Sequence, residues 1–207
     1  MKYILLHGLG QAPSSWDKTV SLLYNRDDLA IPNLWDFIRA DTVCYESLYA
    51  GFAEYADRIN EPFNLCGLSL GGILALQYAL ENPMRASSLA LIGTQFSMPR
   101  GLIRLQNIMF RFMPNKMFED MGVTKKQFIS LCSSMAALDF TPKLSDIQCP
   151  TLVIYGEKDS ANRKAAIQLE KRIPHASLHM ISGASHEVNT DAPDCLATLL
   201  NNFWDKL

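Results

Sequence analysis

Short apolar runs alternate along the chain with longer amphipathic stretches, the pattern of strand–helix units that assemble a mostly parallel sheet. The runs Lys2–Leu6, Asp28–Ile31, Phe63–Cys66, Ser88–Ile92, Thr151–Tyr155 and Ser177–Ile181 are apolar or β-branched and read as strands. Most of them lack a period-two alternation, which predicts a sheet covered on both faces. Between them, Trp16–Tyr24, Cys44–Ile59, Gly72–Glu81, Asn162–Ile173 and Ala192–Lys206 carry helical periodicity. Pro83, Pro150 and Pro174 punctuate the boundaries, since proline cannot continue a helix.

The alternation breaks between Phe96 and Phe140, a stretch with no convincing strand and far too long for an ordinary loop. It reads as a helical insertion. Six of the nine methionines lie there (Met98, Met109, Met113, Met117, Met121 and Met135), with six of the ten phenylalanines. Six basic residues against three acidic ones make it locally basic, and Arg100, Arg104 and Arg111 recur at helical spacing as one basic face. The resulting division is a core of residues 1–95 and 141–207 with residues 96–140 inserted.

A chain of 207 residues points to one domain with a modest insertion. With 48% hydrophobic residues it can bury a real core, which excludes disorder. Nineteen basic against twenty-one acidic side chains give a net charge of -2, too balanced for a nucleic-acid binder. The apolar run at the amino end is too short for a signal sequence and no window is long enough to span a bilayer, so a cytoplasmic protein is expected. Five cysteines at wide, irregular spacings, with no C-x-x-C, point neither to a disulfide framework nor to a zinc site, and no metal or cofactor is expected.

The sharpest local signal is Asn64-Leu65-Cys66-Gly67-Leu68-Ser69-Leu70-Gly71-Gly72, a short strand that runs through G-x-S-x-G into a helix. A nucleophile on so tight a turn needs small neighbours two residues to either side, which Gly67 and Gly71 supply. The turn also sets Ser69 at a helix N-terminus, where the Leu70 N–H can receive negative charge developing on a substrate. The competing reading is a glycine-lined turn with an idle serine. Serine is a weak nucleophile without a base and a group that orients the base. Of the four histidines, His186 lies on the loop leaving the last strand, at the sheet edge that carries Ser69. For the acid, the strand Thr151–Tyr155 leads to Gly156 and then Asp159 at the same edge, with Glu157 as rival. The loop Leu6-His7-Gly8-Leu9-Gly10-Gln11 offers a second backbone donor, Leu9, with Gly10 as rival.

In its H-G-x-G loop, G-x-S-x-G elbow, G-x-x-D turn and G-x-x-H loop, in the order Ser, Asp, His, the chain resembles the α/β-hydrolase superfamily. The elbow follows the H-G loop by about sixty residues, and the insertion falls where that superfamily places its cap domains. The resemblance implies an α/β fold with a reduced six-stranded parallel sheet flanked by helices and a small helical cap. The first hairpin usual in the superfamily is not expected in the sheet, since the H-G strand is the first strand of this sequence.

The same resemblance implies Ser69 as nucleophile, His186 as base and then acid, Asp159 as orienter, and Leu9 and Leu70 as oxyanion donors. Serine rather than aspartate at position 69 favours acyl transfer to water over dehalogenation. Through Gly67–Gly72 and Asn82-Pro83-Met84-Arg85, the chain is similar to the pimeloyl-carrier-protein methyl esterases, features that lactonases and C–C hydrolases share. The expected activity is hydrolysis of a small-molecule carboxylic ester with an apolar acyl group. The insertion's basic face would dock an acidic partner such as an acyl carrier protein, or an anionic substrate tail, the competing reading being a solvated face. Thioesterase or acyltransferase chemistry with the same residues, or ligand binding without turnover, are the alternatives.

Overall fold

A computed structural model describes residues 2–38, 43–98, 110, 112–119 and 123–207, the side chain of Met117 excepted. In chain order, β1 (Lys2–Leu6) is followed by a 3-10 turn over Pro13–Trp16, α1 (Asp17–Ser21), β2 (Leu29–Ala30), α2 (Tyr45–Asp57), β3 (Phe63–Leu68), α3 (Leu70–Glu81) and β4 (Ala86–Ile92). Then come α4 (Asn115–Glu119), α5 (Lys125–Ser134), β5 (Thr151–Gly156), α6 (Ser160–Arg172), β6 (Ala176–Ile181), α7 (Val188–Asp191) and α8 (Pro193–Trp204). The strands form one six-stranded sheet in the order β2-β1-β3-β4-β5-β6, and every pairing is parallel, as the sequence predicts.

Both faces of the central strands are buried. Ile4, Leu6, Leu65, Leu89, Leu91 and Val153 pack with α2 and α3 in one core. Their neighbours Leu5, Cys66, Ala90, Ile92, Leu152 and Ile154 pack under α8 in the other. Successive strand residues point to opposite faces, so an unbroken apolar run fills both cores at once.

The elements differ from expectation at the edges. The helix expected over Trp16–Tyr24 shrinks to α1, because the chain leaves the helix to meet α8. There Asn201 donates to the Leu22 carbonyl and accepts from the Tyr24 N–H. Strand β2 keeps only Leu29 and Ala30 before Pro32. The expectation of two covered faces fails for β6, an edge strand in which only Ile181 is buried.

The chain builds β2 on one side of β1 and then crosses to β3 on the other. The loops leaving β1 and β3 therefore diverge at a point where the strand order reverses, the place where open α/β sheets bind ligands. Residues 96–98 and 138–140 form the stem of the segment between β4 and β5: the Met98 N–H donates to the Leu138 carbonyl and the Phe140 N–H to the Phe96 carbonyl. Between the two halves of that stem lie α4 and α5.

Candidate active site

The β3–α3 turn is built by close approach. A Cβ on Gly67 would sit 2.3 Å from the Gly71 carbonyl, and one on Gly71 would sit 2.3 Å from the Leu6 carbonyl of β1. Any larger residue would push the helix off the strand. At the apex Ser69 takes φ +53°, the only non-glycine residue with a left-handed φ among those described. A strained conformation of this kind costs on the order of 1–3 kcal/mol and persists only where its surroundings hold it. Here the Ser69 N–H is held by the Ile92 carbonyl at 2.8 Å. Leu70 opens α3, so its N–H has no acceptor within the helix.

At the ends of β5 and β6 the structure brings Asp159 and His186 together. His186 Nδ1–H donates to Asp159 Oδ2 at 2.7 Å; the carboxylate can only accept, which fixes the proton on Nδ1 and leaves Nε2 unprotonated in the neutral ring. The Asp159 side chain is only 4% exposed, whereas His186 is 39% exposed. One group is thus shielded and the other open to the cleft. Asp159 also caps α6: Asn162 donates to it from its backbone N–H and, at 2.8 and 2.9 Å, from its side-chain amide. Burial pushes the Asp159 carboxyl up, but the hydrogen bonds from His186 and Asn162 outweigh it and hold the pKa below its ordinary value. Glu157, the rival, turns away to accept from the Gly183 N–H at 2.8 Å and the Ser182 hydroxyl at 3.1 Å.

Gly93, which the sequence reading did not single out, is what lets this pair sit where it does. It leaves β4 with φ +54°, and a Cβ there would lie 2.9 Å from both Cε1 and Nδ1 of His186. Its only sequence signal is a glycine directly after a strand, a common arrangement with no chemistry of its own.

The loop after β1 is fixed from three sides. His7 is fully buried, donates from Nδ1 to the Gly8 carbonyl at 2.8 Å and accepts at Nε2 from the Leu34 N–H at 3.0 Å. Burial holds its pKa below the ordinary value, so the ring stays neutral and both nitrogens are occupied. The Gly8 N–H donates to Gln11 Oε1. Gln11 and Asn189, both buried, exchange a reciprocal pair of amide bonds at 3.0 and 3.2 Å, joining this loop to α7 just after His186. With the Gly8 N–H occupied, those of Leu9 and Gly10 have no protein acceptor among the described residues.

A cleft of about 260 Å³ brings Leu9, Gly10, Ser69 and His186 onto one surface. Phe110, Met113, Phe118 and Phe128 from the segment between β4 and β5 form its apolar wall. Phe128 is the hub of that wall, meeting Phe110 and Phe118 edge to face with centroids 5.0 Å apart. Among the described residues the Ser69 hydroxyl and the His186 ring make no hydrogen bond to each other, although they border the same cleft. Arg100, Arg104 and Arg111, with Met109 and Met121, lie outside the described residues, as does the side chain of Met117. No group of acidic, cysteine or histidine side chains that could hold a metal ion occurs among the described residues, and no described helix is long and apolar enough to cross a membrane.

Comparison with known proteins places the fold. The pimeloyl-[acyl-carrier protein] methyl ester esterase of Legionella pneumophila is 23% identical over 233 aligned positions, which span 98% of this chain and 95% of that protein. The enol-lactonase from Burkholderia xenovorans superposes with a TM-score of 0.83 at 20% identity, covering 99% of this chain and 91% of that one. A thermophilic esterase from Thermogutta terrifontis does so with a TM-score of 0.77 at 18% identity, over 100% and 90%. A sequence model of the alpha/beta hydrolase family matches residues 3–197, from the first strand into the last helix, and the chain belongs to that family.

Proposed function

We propose that this hydrolase cleaves carboxylic esters by a two-step acyl transfer through Ser69, with His186 as the base and Asp159 as the group that orients it. The observation that carries the reading is the 2.7 Å bond from His186 to a shielded Asp159, on the same cleft as a serine held at a strained helix N-terminus. Ser69 Oγ bonds to the ester carbonyl carbon while His186 Nε2 takes its proton. The carbonyl electron pair moves to oxygen, which receives the N–H groups of Leu9 and Leu70. As the tetrahedral intermediate collapses, the ester C–O bond breaks, the imidazolium gives its proton to the leaving alcohol, and an acyl-Ser69 remains. Water then attacks with the same proton transfers, and a carboxylic acid departs. Asp159 stays ionised throughout, which its lowered pKa permits.

Residues 96–140 act as the cap over this site. Their apolar wall suits an apolar acyl group, and the likeness to a pimeloyl-[acyl-carrier protein] methyl ester esterase supports a methyl ester carried on an acyl carrier protein. The cysteines are all unpaired, which suits a reducing cytoplasm.

Ser69→Ala is expected to lower kcat by about 10⁴-fold or more, with loss of labelling by a serine-directed phosphonate. A variant still labelled at the wild-type rate refutes the assignment. The second reading, a ligand-binding member of the fold, draws on the lack of a Ser69–His186 hydrogen bond among the described residues. Catalytic hydrogen bonds are often longer without substrate and tighten in the complex. Titration with an activated ester separates the two readings, because a binder gives no burst of alcohol.

A further inference from the structure

Asp159 takes its side-chain hydrogen bonds from two residues among those described, His186 and Asn162, and Asn162 is in turn held by Gln95. We propose that Gln95 and Asn162 form a polarity relay that positions Asp159 against His186. The proposal rests on the serine-hydrolase reading above and assigns two positioning residues to it.

The direction of each bond follows from groups that have no choice. The Ala161 carbonyl can only accept, and Gln95 approaches it with Nε2 at 3.3 Å. The same NH₂ group lies 2.8 Å from Asn162, which must therefore present its Oδ1 to Gln95. That turns the Asn162 NH₂ toward Asp159, where it meets Oδ1 at 2.8 Å and Oδ2 at 2.9 Å. An ionised carboxylate accepts both. The Asn162 nitrogen also comes within 3.1 Å of His186 Nδ1, so the amide sits in the angle between acid and base and blocks rotation of the carboxylate away from the ring.

Position in the fold makes the relay more than a local contact. Gln95 lies two residues after Gly93, against which the imidazole packs, and directly before Phe96, whose carbonyl accepts from Phe140 at the root of residues 96–140. The exit of β4 thus touches the base through Gly93 and reaches the acid through Gln95 and then Asn162. A shift of the insertion's stem is felt at Asp159 through these two amides.

The test exchanges polarity at nearly constant shape. Gln95→Ala removes the anchor but leaves Asp159 able to select the Asn162 NH₂, and kcat is expected to fall about two- to threefold. Gln95→Glu offers an acceptor where a donor stood, so Asn162 turns its NH₂ to the new carboxylate and its oxygen to Asp159. For that variant kcat is expected to fall about tenfold or more, with KM within about twofold and an unchanged melting temperature. Asn162→Ala alone is expected to lose about tenfold in kcat, and adding Gln95→Glu to it should cost nothing further.

Equal kcat values for Gln95→Glu and Gln95→Ala overturn the relay. So does a Gln95→Glu loss that persists in the Asn162→Ala background, which marks a through-space charge effect. Should Gln95→Glu not fold, Asn162→Asp tests the same polarity: it keeps the acceptor for Gln95 and removes the donor facing Asp159. It is expected to lose at least as much as Asn162→Ala, and wild-type turnover by it overturns the relay. Ser69→Ala measured alongside separates the two levels. An inactive Ser69→Ala beside a fully active Gln95→Glu sinks the relay alone, whereas an active Ser69→Ala sinks the serine mechanism and the relay with it.

Discussion

Single atoms decide whether the residues at the end of β4 can coexist with the imidazole. A methyl group at Gly93 has nowhere to go, since it would meet two atoms of His186 at 2.9 Å, and φ +54° is itself strained for any L side chain. Gly93→Ala is expected to cost about 1 kcal/mol or more in stability and to lower kcat on the order of a hundredfold by displacing the ring. Gly183 is the matched control: its φ is +74° but a Cβ there meets nothing within 4 Å. Gly183→Ala should show a similar backbone cost in a urea melt with kcat preserved. Equal kcat losses in the two variants would place the effect in the backbone rather than in contact with His186.

Between elements, the spacing of the two sides of the site is set by side chains that perform no chemistry. The loop after β1 and helix α7 belong to opposite ends of the sequence, and the reciprocal amide pair Gln11–Asn189 bolts them together. Asn189 also donates to the Ser15 carbonyl, and Thr19 donates to the Asn189 carbonyl. Removing Gln11 leaves the buried Asn189 Oδ1 without its donor, so Gln11→Ala is expected to destabilise the fold by about 1–3 kcal/mol. It should also reduce kcat for an activated ester, because the Gly8 N–H loses its acceptor and the Leu9 loop loosens. Chemical denaturation and steady-state kinetics on one preparation check both. A stability loss with unchanged kcat would limit the amide pair to a structural role.

Among the described residues, stability is divided among three apolar clusters: the two faces of the sheet, and a small separate one around Phe118, Phe128 and Cys132. The third carries the cleft wall, and Trp35 and Leu9 pack against it from the loops after β1 and β2. Phe128→Ala is expected to remove about 3–5 kcal/mol of packing, locally rather than globally. Hydrogen exchange should then show protection lost in α4 and α5 with the central strands unaffected, and KM should rise more than kcat falls. Protection lost equally throughout the sheet would contradict the division.

Much of this was legible in the residue order, because strand periodicity, glycine spacing and the order of Ser69, Asp159 and His186 are local properties of the chain. The G-x-S-x-G turn specifies part of its own geometry: glycine is required at position 67 by Gly71 and Gly72 a few residues on, whereas at position 71 it is required by Leu6 of β1. The six parallel strands follow from apolar runs separated by helical stretches, since a crossover of that length returns the chain in the same direction. The choice between Asp159 and Glu157, the sparing of the Leu9 N–H, and the parts played by Gly93, Gln11, Gln95, Asn162 and Asn189 depend on partners distant in sequence. Gln11 and Asn189 are 178 positions apart, and a glutamine's hydrogen-bonding polarity is undefined until its partners are in place. Elements are written in periodicity, which a short window contains. The pairing of Asp159 with His186 is written in distances, which exist only once the sheet has brought its strand ends to one edge.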